Sequence, residues 1–425
     1  MNIKANKILS RTSFILMVLM MISSLAHKLL FIEDNHLDYM NFTISDWMIN
    51  YEGGFVRRGL IGQILLCIYN IHSYSLIKCI TGIYIIGFII LLYLTLNVFK
   101  KQGWSPIIIP SFLCFYYGMG WGTQLLSVRR DYCILILIYL LFKLYKEWQN
   151  KGNYYHAITI NVLSVIIILA YEPTFFYCIP LLTIITFYNP HKKTTFKSRF
   201  KETFLLWSTS YIIMTIVCFN KGNNEQVTDI WNSWTECIQA YPCGLNTMQI
   251  GDGVNFFNKP IIEVLKMHFD IMWNNIFITF PITIYTFACI VYLIIKLNIM
   301  DMNIWKLKKI NTILLIGILF MQFIFVSPMY GFLSCDFGRT VTCIVISSLF
   351  AYHFFNAKPI IIPQPITKLS ILFNSFISRH KIFNNPYFYV FVLFTLPLSA
   401  YSGVRLESML AIQILKIGKE LFFIL

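Results

Sequence analysis

The chain has 425 residues, of which 57% are hydrophobic and 12% charged, and its mean hydropathy is +0.65. Since a soluble globular domain carries about 25% charged residues, these values exclude an ordinary soluble protein and indicate a polytopic membrane protein. The net charge of +15 comes mostly from lysines in short loops between apolar runs, which is the positive-inside pattern. We therefore expect no nucleic-acid partner.

Apolar runs and lysine clusters predict an all-α fold, a polytopic transmembrane bundle of about 12 spans with both termini in the cytoplasm. Residues 1–425 would form a single integral membrane domain. The first run is too long for a signal-peptide core and is predicted to be the first span. Several later runs are shorter than the roughly 20 residues that a spanning helix needs, so we expect broken or enclosed helices. The predicted spans are 12–32, 76–99, 105–120, 124–142, 156–171, 174–188, 203–219, 271–295, 310–328, 340–356, 387–403 and 406–423.

Two long segments are predicted at the outer face, at 33–58 and 220–267. The apolar run 59–71 follows the first and is predicted to be a short juxtamembrane or re-entrant helix. Counting it as a span would place Lys100 and Lys101 on the wrong side. The mixture of aromatic and polar residues in the outer segments suits carbohydrate binding, and an interfacial aromatic belt is the alternative.

The distribution of arginine is the feature that points most directly to function. The chain has nine arginines, and in this topology six of them fall at the outer edges of apolar segments. Membrane insertion does not call for arginine on that side, so the pattern predicts a surface that binds a polyanion. The six residues are Arg57, Arg58, Arg129, Arg130, Arg339 and Arg405.

The first outer segment ends in the string Glu-Gly-Gly-Phe-Val-Arg-Arg at 52–58. Gly53 and Gly54 allow a sharp turn of the main chain before the two arginines. A guanidinium presents a planar fork of donors that matches phosphate oxygens bidentately, whereas lysine acts as a compact point charge. Arg57 and Arg58 are therefore candidates for binding phosphate, with anchoring to lipid phosphate as the structural alternative.

Arg129, Arg130 and Asp131 are predicted to open the helix that returns to Lys143. Three charges within one turn need partners, and pairing of Asp131 with either arginine is the simplest arrangement. One carboxylate cannot neutralise two guanidiniums, so an excess of positive charge would remain for an anionic ligand.

Two acids stand at the ends of apolar runs. Glu172, followed by Pro173, is predicted either to pair with a distant arginine or to have a raised pKa, as a general base would. Asp336 lies in the string Asp-Phe-Gly-Arg, whose Arg339 precedes the span 340–356. A phosphate at that helix N-terminus would meet backbone amides and a guanidinium together.

Motifs for nucleotide, dinucleotide or metal chemistry are absent from the sequence. We expect no metal and no cofactor. Most of the 11 cysteines lie inside apolar runs, where a thiol behaves as a small hydrophobe. Cys237 and Cys243 lie together in the second outer segment, where either a disulfide or two thiols would fit the sequence.

A family resemblance rests on three elements: Tyr-Glu-Gly-Gly-Phe-Val-Arg-Arg-Gly-Leu at 51–60, the acid Glu172 after an apolar helix, and Asp-Phe-Gly-Arg at 336–339. Together they resemble Wzy-type O-antigen and capsular polysaccharide polymerases, which are GT-C-like integral membrane glycosyltransferases. That family often has an aromatic residue after the last arginine, where this chain has Thr340.

The resemblance implies a metal-independent enzyme of the bacterial inner (cytoplasmic) membrane, multi-pass, with its active site facing the periplasm. It would polymerise undecaprenyl-diphosphate-linked oligosaccharide repeat units into lipopolysaccharide O-antigen or capsule. Membrane lipids and a chain-length regulator are the other expected partners. The candidate catalytic acids are Glu172, Asp336 and Glu52, the diphosphate-binding residues Arg57, Arg58, Arg129, Arg130 and Arg339, and the orienting residue Asp131.

Two other functions remain open. A GT-C glycosyltransferase with a polyprenyl-phosphate sugar donor would use an acid in the first outer segment, for which Asp34, Asp38 and Asp46 are candidates. A non-enzymatic flippase for lipid-linked oligosaccharides would need cations along a central cavity. The number of arginines at one face favours a diphosphate over a monophosphate and an enzyme over a carrier.

Overall fold

A computed structural model describes residues 41–102, 129–188, 195–220, 222–240, 248–259 and 379–385, together with Leu245 and isolated positions between 262 and 415. Every regular element in these residues is a helix, which confirms the all-α prediction for this part of the chain. Its α-helices are α1 (Asn41–Trp47), α2 (Gly59–Ile71), α3 (Leu76–Gln102), α4 (Asp131–Lys151), α5 (Tyr154–Ala170), α6 (Thr174–Tyr188), α7 (Phe196–Phe219), α8 (Asn224–Asn232), α9 (Thr235–Ala240) and α10 (Asp252–Asn255).

The chain divides into two compact units. One comprises His27–Thr95 and Leu126–Val264 and holds nearly all the described helices, including those that form the site below. The other comprises Met1–Ala26, Leu96–Leu125 and Leu265–Leu425, of which the structure describes the end of α3, residues 379–385 and isolated positions.

The turn between α4 and α5 shows how local sequence sets the helix ends. Gly152 adopts a positive φ of 63° at the end of α4, and its amide donates to the Trp148 carbonyl. The next residue, Asn153, caps α5 by accepting a hydrogen bond from the Tyr155 amide. Glycine tolerates the left-handed conformation and asparagine is a preferred N-cap, so the chain reverses direction within two residues.

Helix α5 packs against α2, α4, α6 and α7. Small polar side chains join α5, α6 and α7 in the interior. Ser210 of α7 donates to Ser164 of α5 at 2.8 Å, and the indole of Trp207 donates to Thr186 of α6 at 2.9 Å. Hydrogen bonds between small polar residues are a common means of joining helices in a lipid environment.

The two predicted outer segments pack against each other. Helix α10 lies on α1, and the amide of Gly253 donates to the Ser45 hydroxyl at 2.9 Å. The side chain of Asn50 donates to Ser233 at 2.8 Å, and the indole of Trp234 donates to the Met48 carbonyl at 2.8 Å. Residues 41–58, 222–240 and 248–259 therefore form one folded layer, and we call it the paired-segment layer.

Glycines make close approach possible at two places in this layer. A Cβ on Gly53 would lie 2.6 Å from the Gln226 carbonyl oxygen, and one on Gly253 would lie 2.6 Å from the Asp46 amide. The absence of a side chain at these positions lets backbone meet backbone across the two segments.

In the part of the chain that the structure describes, two helical segments are long and apolar enough to cross a membrane, Leu76–Leu94 and Phe196–Phe219. Gly59–Ile71, Tyr154–Ala170 and Thr174–Phe187 are apolar but shorter. The run 59–71 forms a helix, α2, and its juxtamembrane or re-entrant position stays a prediction. The predicted spans at 12–32 and 105–120 lie outside the described residues, as do those after residue 270 apart from isolated positions.

The predicted bounds of two helices differ from those in the structure. Residues 124–128 of the span predicted at 124–142 lie outside the described residues, and helix α4 runs from Asp131 past the predicted end to Lys151. The span predicted at 203–219 lies within α7, which begins at Phe196. The extra turns carry lysine and glutamate in both helices, and arginine in α7. These residues are good helix formers outside hydrocarbon, so hydropathy does not detect them.

Candidate functional site

Charged side chains from four parts of the chain meet at the ends of α2, α4 and α5. Arg57 and Arg58 precede α2, Arg130 precedes α4, and Glu172 follows α5. Asp46 joins them from α1. We call these five residues the arginine–acid cluster.

Arg58 and Glu172 form a bidentate ion pair. The Nε of Arg58 donates to Glu172 Oε2 at 2.7 Å, and its Nη2 donates to Glu172 Oε1 at 2.7 Å. The side chains are 19% and 9% exposed, so the pair is largely removed from solvent. Parallel N–H···O bonds of this kind combine charge with fixed geometry and orient both side chains.

Arg130 and Asp46 form a second bidentate pair. The Nη2 of Arg130 lies 2.7 Å from Asp46 Oδ1, and its Nε donates to Asp46 Oδ2 at 3.0 Å. The remaining nitrogen, Nη1, donates to the backbone carbonyls of Arg58 and Ala170 at 3.2 and 3.4 Å. Arg130 is 1% exposed, and it ties α1, the start of α2 and the end of α5 together.

Arg57 has looser contacts than the other two arginines. Its Nη1 lies 3.6 Å from Glu172 Oε1, and its side chain is 27% exposed. Its guanidinium carbon lies 4.8 Å from the centroid of the Phe257 ring, which comes from the second outer segment. Burial lowers the pKa of Arg57, and the charge of Glu172 opposes this shift.

Tyr171 lies beneath the two bidentate arginines. The guanidinium carbon of Arg58 is 4.9 Å from the Tyr171 ring centroid, and that of Arg130 is 5.9 Å away. A cation over an aromatic face is attracted by the ring quadrupole, and the attraction grows when water is excluded. Tyr171 is buried and supports both arginines from one side.

The backbone of Arg58 adopts a left-handed conformation, with φ 63° and ψ 7°. Among the described residues it is the one non-glycine residue with a positive φ. This conformation costs about 1 to 2 kcal/mol for a residue with a Cβ. The Nη1 bond from Arg130 to the Arg58 carbonyl and the pair with Glu172 hold it in place.

The ion pair sets the charge state of Glu172. Burial alone would raise the pKa of Glu172, but the charge and hydrogen bonds of Arg58 and the charge of Arg57 bring it below its usual value. The same pairing raises the pKa of Arg58 although burial would lower it. Both groups are therefore ionised at neutral pH. This agrees with the first of the two alternatives predicted for Glu172, pairing with a distant arginine.

The cluster carries a net positive charge. It holds three guanidiniums against the two carboxylates of Asp46 and Glu172. Adding the neighbouring Arg129 and Asp131 leaves the sum unchanged at one positive charge. A buried site with one uncompensated cation favours an anionic ligand.

The other predicted site residues lie outside this cluster or outside the described residues. Glu52 is exposed and accepts a hydrogen bond from Gln63 at 3.0 Å. Asp131 is buried in the first turn of α4, whereas the carboxylate that Arg130 binds is that of Asp46. Arg129 is half-buried just before α4. Asp34, Asp38, Cys243, Asp336, Arg339 and Arg405 lie outside the described residues.

Two aromatic residues of the site were missed by the sequence analysis, and one acid was named there only for an alternative function. Tyr171 stands next to Glu172 in the sequence, so its proximity could have been anticipated. Phe257 could not, because it is 200 positions from Arg57 and meets it only through the paired-segment layer. Asp46 was one of three acids in the first outer segment, and nothing local distinguished it from Asp34 and Asp38.

No group of three or more His, Cys, Asp or Glu side chains in the described part of the chain could hold a metal ion.

Comparison with protein-family models, with curated proteins and with solved structures finds no match to this chain.

Proposed function

We propose that the chain is a membrane glycosyltransferase that polymerises undecaprenyl-diphosphate-linked oligosaccharide repeat units at the periplasmic face of the bacterial inner membrane. The observation that carries the proposal is the net positive arginine–acid cluster at the ends of apolar helices. A diphosphate leaving group needs positive charge, fixed in position and protected from water, where its negative charge develops.

The proposed reaction transfers the growing saccharide from one lipid carrier to a sugar hydroxyl of another. The hydroxyl oxygen bonds to the anomeric carbon, the bond between that carbon and the diphosphate oxygen breaks, and undecaprenyl diphosphate leaves. A carboxylate accepts the hydroxyl proton, for which Glu172, Asp336 and Glu52 are the candidates. Arginines stabilise the departing diphosphate without a metal ion.

A second candidate is a GT-C glycosyltransferase that uses a polyprenyl-phosphate sugar donor. The observation that favours it is the position of Asp46, an acid of the first outer segment that is held 2.7 Å from Arg130 inside the cluster. Such an enzyme would transfer one sugar and release a monophosphate. In that case Asp46 and not Glu172 would be the acid next to the reacting sugar.

The test is complementation of a deletion of this gene in its host, with surface polysaccharide separated by length on a gel. Wild-type protein should restore a ladder of chain lengths. Arg58→Ala, Glu172→Gln and Arg339→Ala should collapse the ladder to a single repeat unit at equal protein level. An unchanged ladder in the deletion strain would exclude the polymerase. Loss of one sugar from every repeat unit would indicate the single-sugar transferase.

A further inference from the structure

Arg57 is the arginine of the cluster whose donors are least used. Its one contact with a carboxylate is 3.6 Å long, beyond normal hydrogen-bond length. Its Nε is buried and donates to no group in the described part of the chain. A buried guanidinium nitrogen without an acceptor is costly, so this position favours a ligand that supplies oxygen atoms.

Arg58 and Arg130, by contrast, are committed to partners within the protein. Each has two guanidinium nitrogens within 3.0 Å of one carboxylate, and Arg130 also donates to two backbone carbonyls. A phosphate could bind either residue only by breaking a bidentate pair and leaving a carboxylate buried without its cation.

The backbone at Arg57 is fixed by the paired-segment layer. Its amide donates to the Asn220 carbonyl at 3.3 Å, and the preceding residue, Val56, is fully buried. Phe257 is 2% exposed, and its ring faces the guanidinium. The side chain thus leaves a rigid base, which reduces the entropy lost when a ligand binds.

We propose that Arg57 binds the diphosphate of a polyprenyl-linked saccharide, and that Arg58 and Arg130 are positioning residues that keep Glu172 and Asp46 from neutralising it. The identity of the lipid rests on the proposed function. The division of roles rests on the geometry of the three arginines.

The proposal makes Glu172 a competitor of the ligand. Its Oε1 lies between the Nη2 of Arg58 at 2.7 Å and the Nη1 of Arg57 at 3.6 Å. If Arg58 is removed, Glu172 can pair fully with Arg57 and block the anion. If both Arg58 and Glu172 are removed, Glu172 no longer neutralises Arg57, and the positive charge of Arg57 is again available to the ligand.

The experiment uses the full-length protein in phosphatidylcholine nanodiscs, with farnesyl diphosphate as the probe and farnesol as the matched lipid without phosphate. Wild-type protein should bind farnesyl diphosphate and be stabilised against heat, and farnesol should do neither. Arg57→Gln should weaken binding about tenfold or more, the effect of losing a charge-assisted contact. Lys197→Gln, the same charge change at an exposed position in the first turn of α7, should leave binding unchanged.

The pair of variants at Arg58 separates the two roles. Arg58→Gln alone should weaken binding about as much as Arg57→Gln, whereas the Arg58→Gln/Glu172→Gln double variant should bind farnesyl diphosphate within about threefold of wild type. The melting temperature without probe reports whether each variant is folded. Weak binding by a folded double variant, or full binding by Arg57→Gln, would overturn the assignment.

Phosphatidylglycerol nanodiscs identify the source of the phosphate. If this lipid abolishes farnesyl diphosphate binding by wild-type protein, the site recognises a phospholipid headgroup and the lipid-linked saccharide is excluded. The gel ladder remains a separate measurement. A normal ladder with Arg57→Gln would refute the inference and leave the polymerase standing, whereas diphosphate binding without any effect of deletion on the ladder would refute the polymerase alone.

Discussion

At the scale of single residues, Glu172 couples stability to pH. Its pKa is lowered in the folded chain, so its stabilising contribution is complete above the unfolded value of about 4.3 and is lost as pH falls through the lower folded value. We expect the melting temperature of wild-type protein to fall more steeply between pH 5 and about pH 3 than that of the Arg58→Gln/Glu172→Gln variant. Parallel curves for the two proteins would show that Glu172 does not titrate as described.

The pair of Asp46 and Arg130 should be a strong determinant of stability. Asp46→Asn removes the carboxylate from a guanidinium that is 1% exposed. We expect a loss of about 3 to 5 kcal/mol in unfolding free energy, the cost of an uncompensated buried charge. Urea unfolding followed by tryptophan fluorescence measures it.

Two controls define this prediction. Asp229→Asn, at an exposed position of α8, should change stability by less than about 0.5 kcal/mol. The Asp46→Asn/Arg130→Gln double variant should recover part of the loss, since no buried charge is left alone. If Asp46→Asn and Asp229→Asn are equally stable, the pair contributes nothing.

At the scale of elements, α2 depends on a glycine where it crosses the first outer segment. A Cβ on Gly62 would overlap the Ile49 carbonyl oxygen, whereas a Cβ on Gly82 of α3 would meet no atom within 4 Å. Both residues lie inside helices, so propensity alone favours alanine at each. We expect Gly62→Ala to destabilise the protein by about 2 kcal/mol or more, and Gly82→Ala to be neutral or stabilising.

The melting temperatures of the two glycine variants test this prediction. An equal effect at both positions would mean that α2 can move away from residues 47–51 without cost. Since Arg58 immediately precedes α2, such movement should also displace the arginine–acid cluster, and the probe-binding assay with Gly62→Ala would detect it.

Sequence reasoning found the helices but not the contacts between them. Apolar runs located α2, α3, α5 and α6 closely, because hydrophobicity is a property of each segment. Helices α4 and α7 extend beyond the predicted spans at their charged ends, since charged helical turns carry no hydrophobic signal. Asp46 and Phe257 reach their arginines through packing of distant segments, and no local pattern encodes such a meeting.

At the scale of the whole molecule, the paired-segment layer predicts that both outer segments share one side of the membrane. We expect a cysteine at Glu225, which is exposed on α8, to react with a membrane-impermeant maleimide added from the periplasm. A cysteine at Lys151, at the end of α4, should react only after the membrane is permeabilised. The background protein carries serine at the exposed Cys67 and Cys218.

The result of this labelling bears on the assignment of 59–71 as a non-spanning helix. Labelling of residue 225 from the cytoplasm and of 151 from the periplasm would invert the predicted topology after α2. Labelling of both positions from the same side would contradict the spans predicted between them. The first outcome would also place the arginine–acid cluster away from the expected compartment.

The arginine–acid cluster also constrains the order of biosynthesis. Asp46 emerges from the ribosome 84 residues before its partner Arg130, and Arg58 emerges 114 residues before Glu172. At about 5 to 20 residues per second, each early charge waits roughly 4 to 20 seconds for its counterpart. During that interval it must stay hydrated or be shielded by the insertion machinery. The cluster is therefore complete only after α5 has been inserted. A nascent chain stalled before residue 172 would expose an arginine that a quality-control protease could recognise.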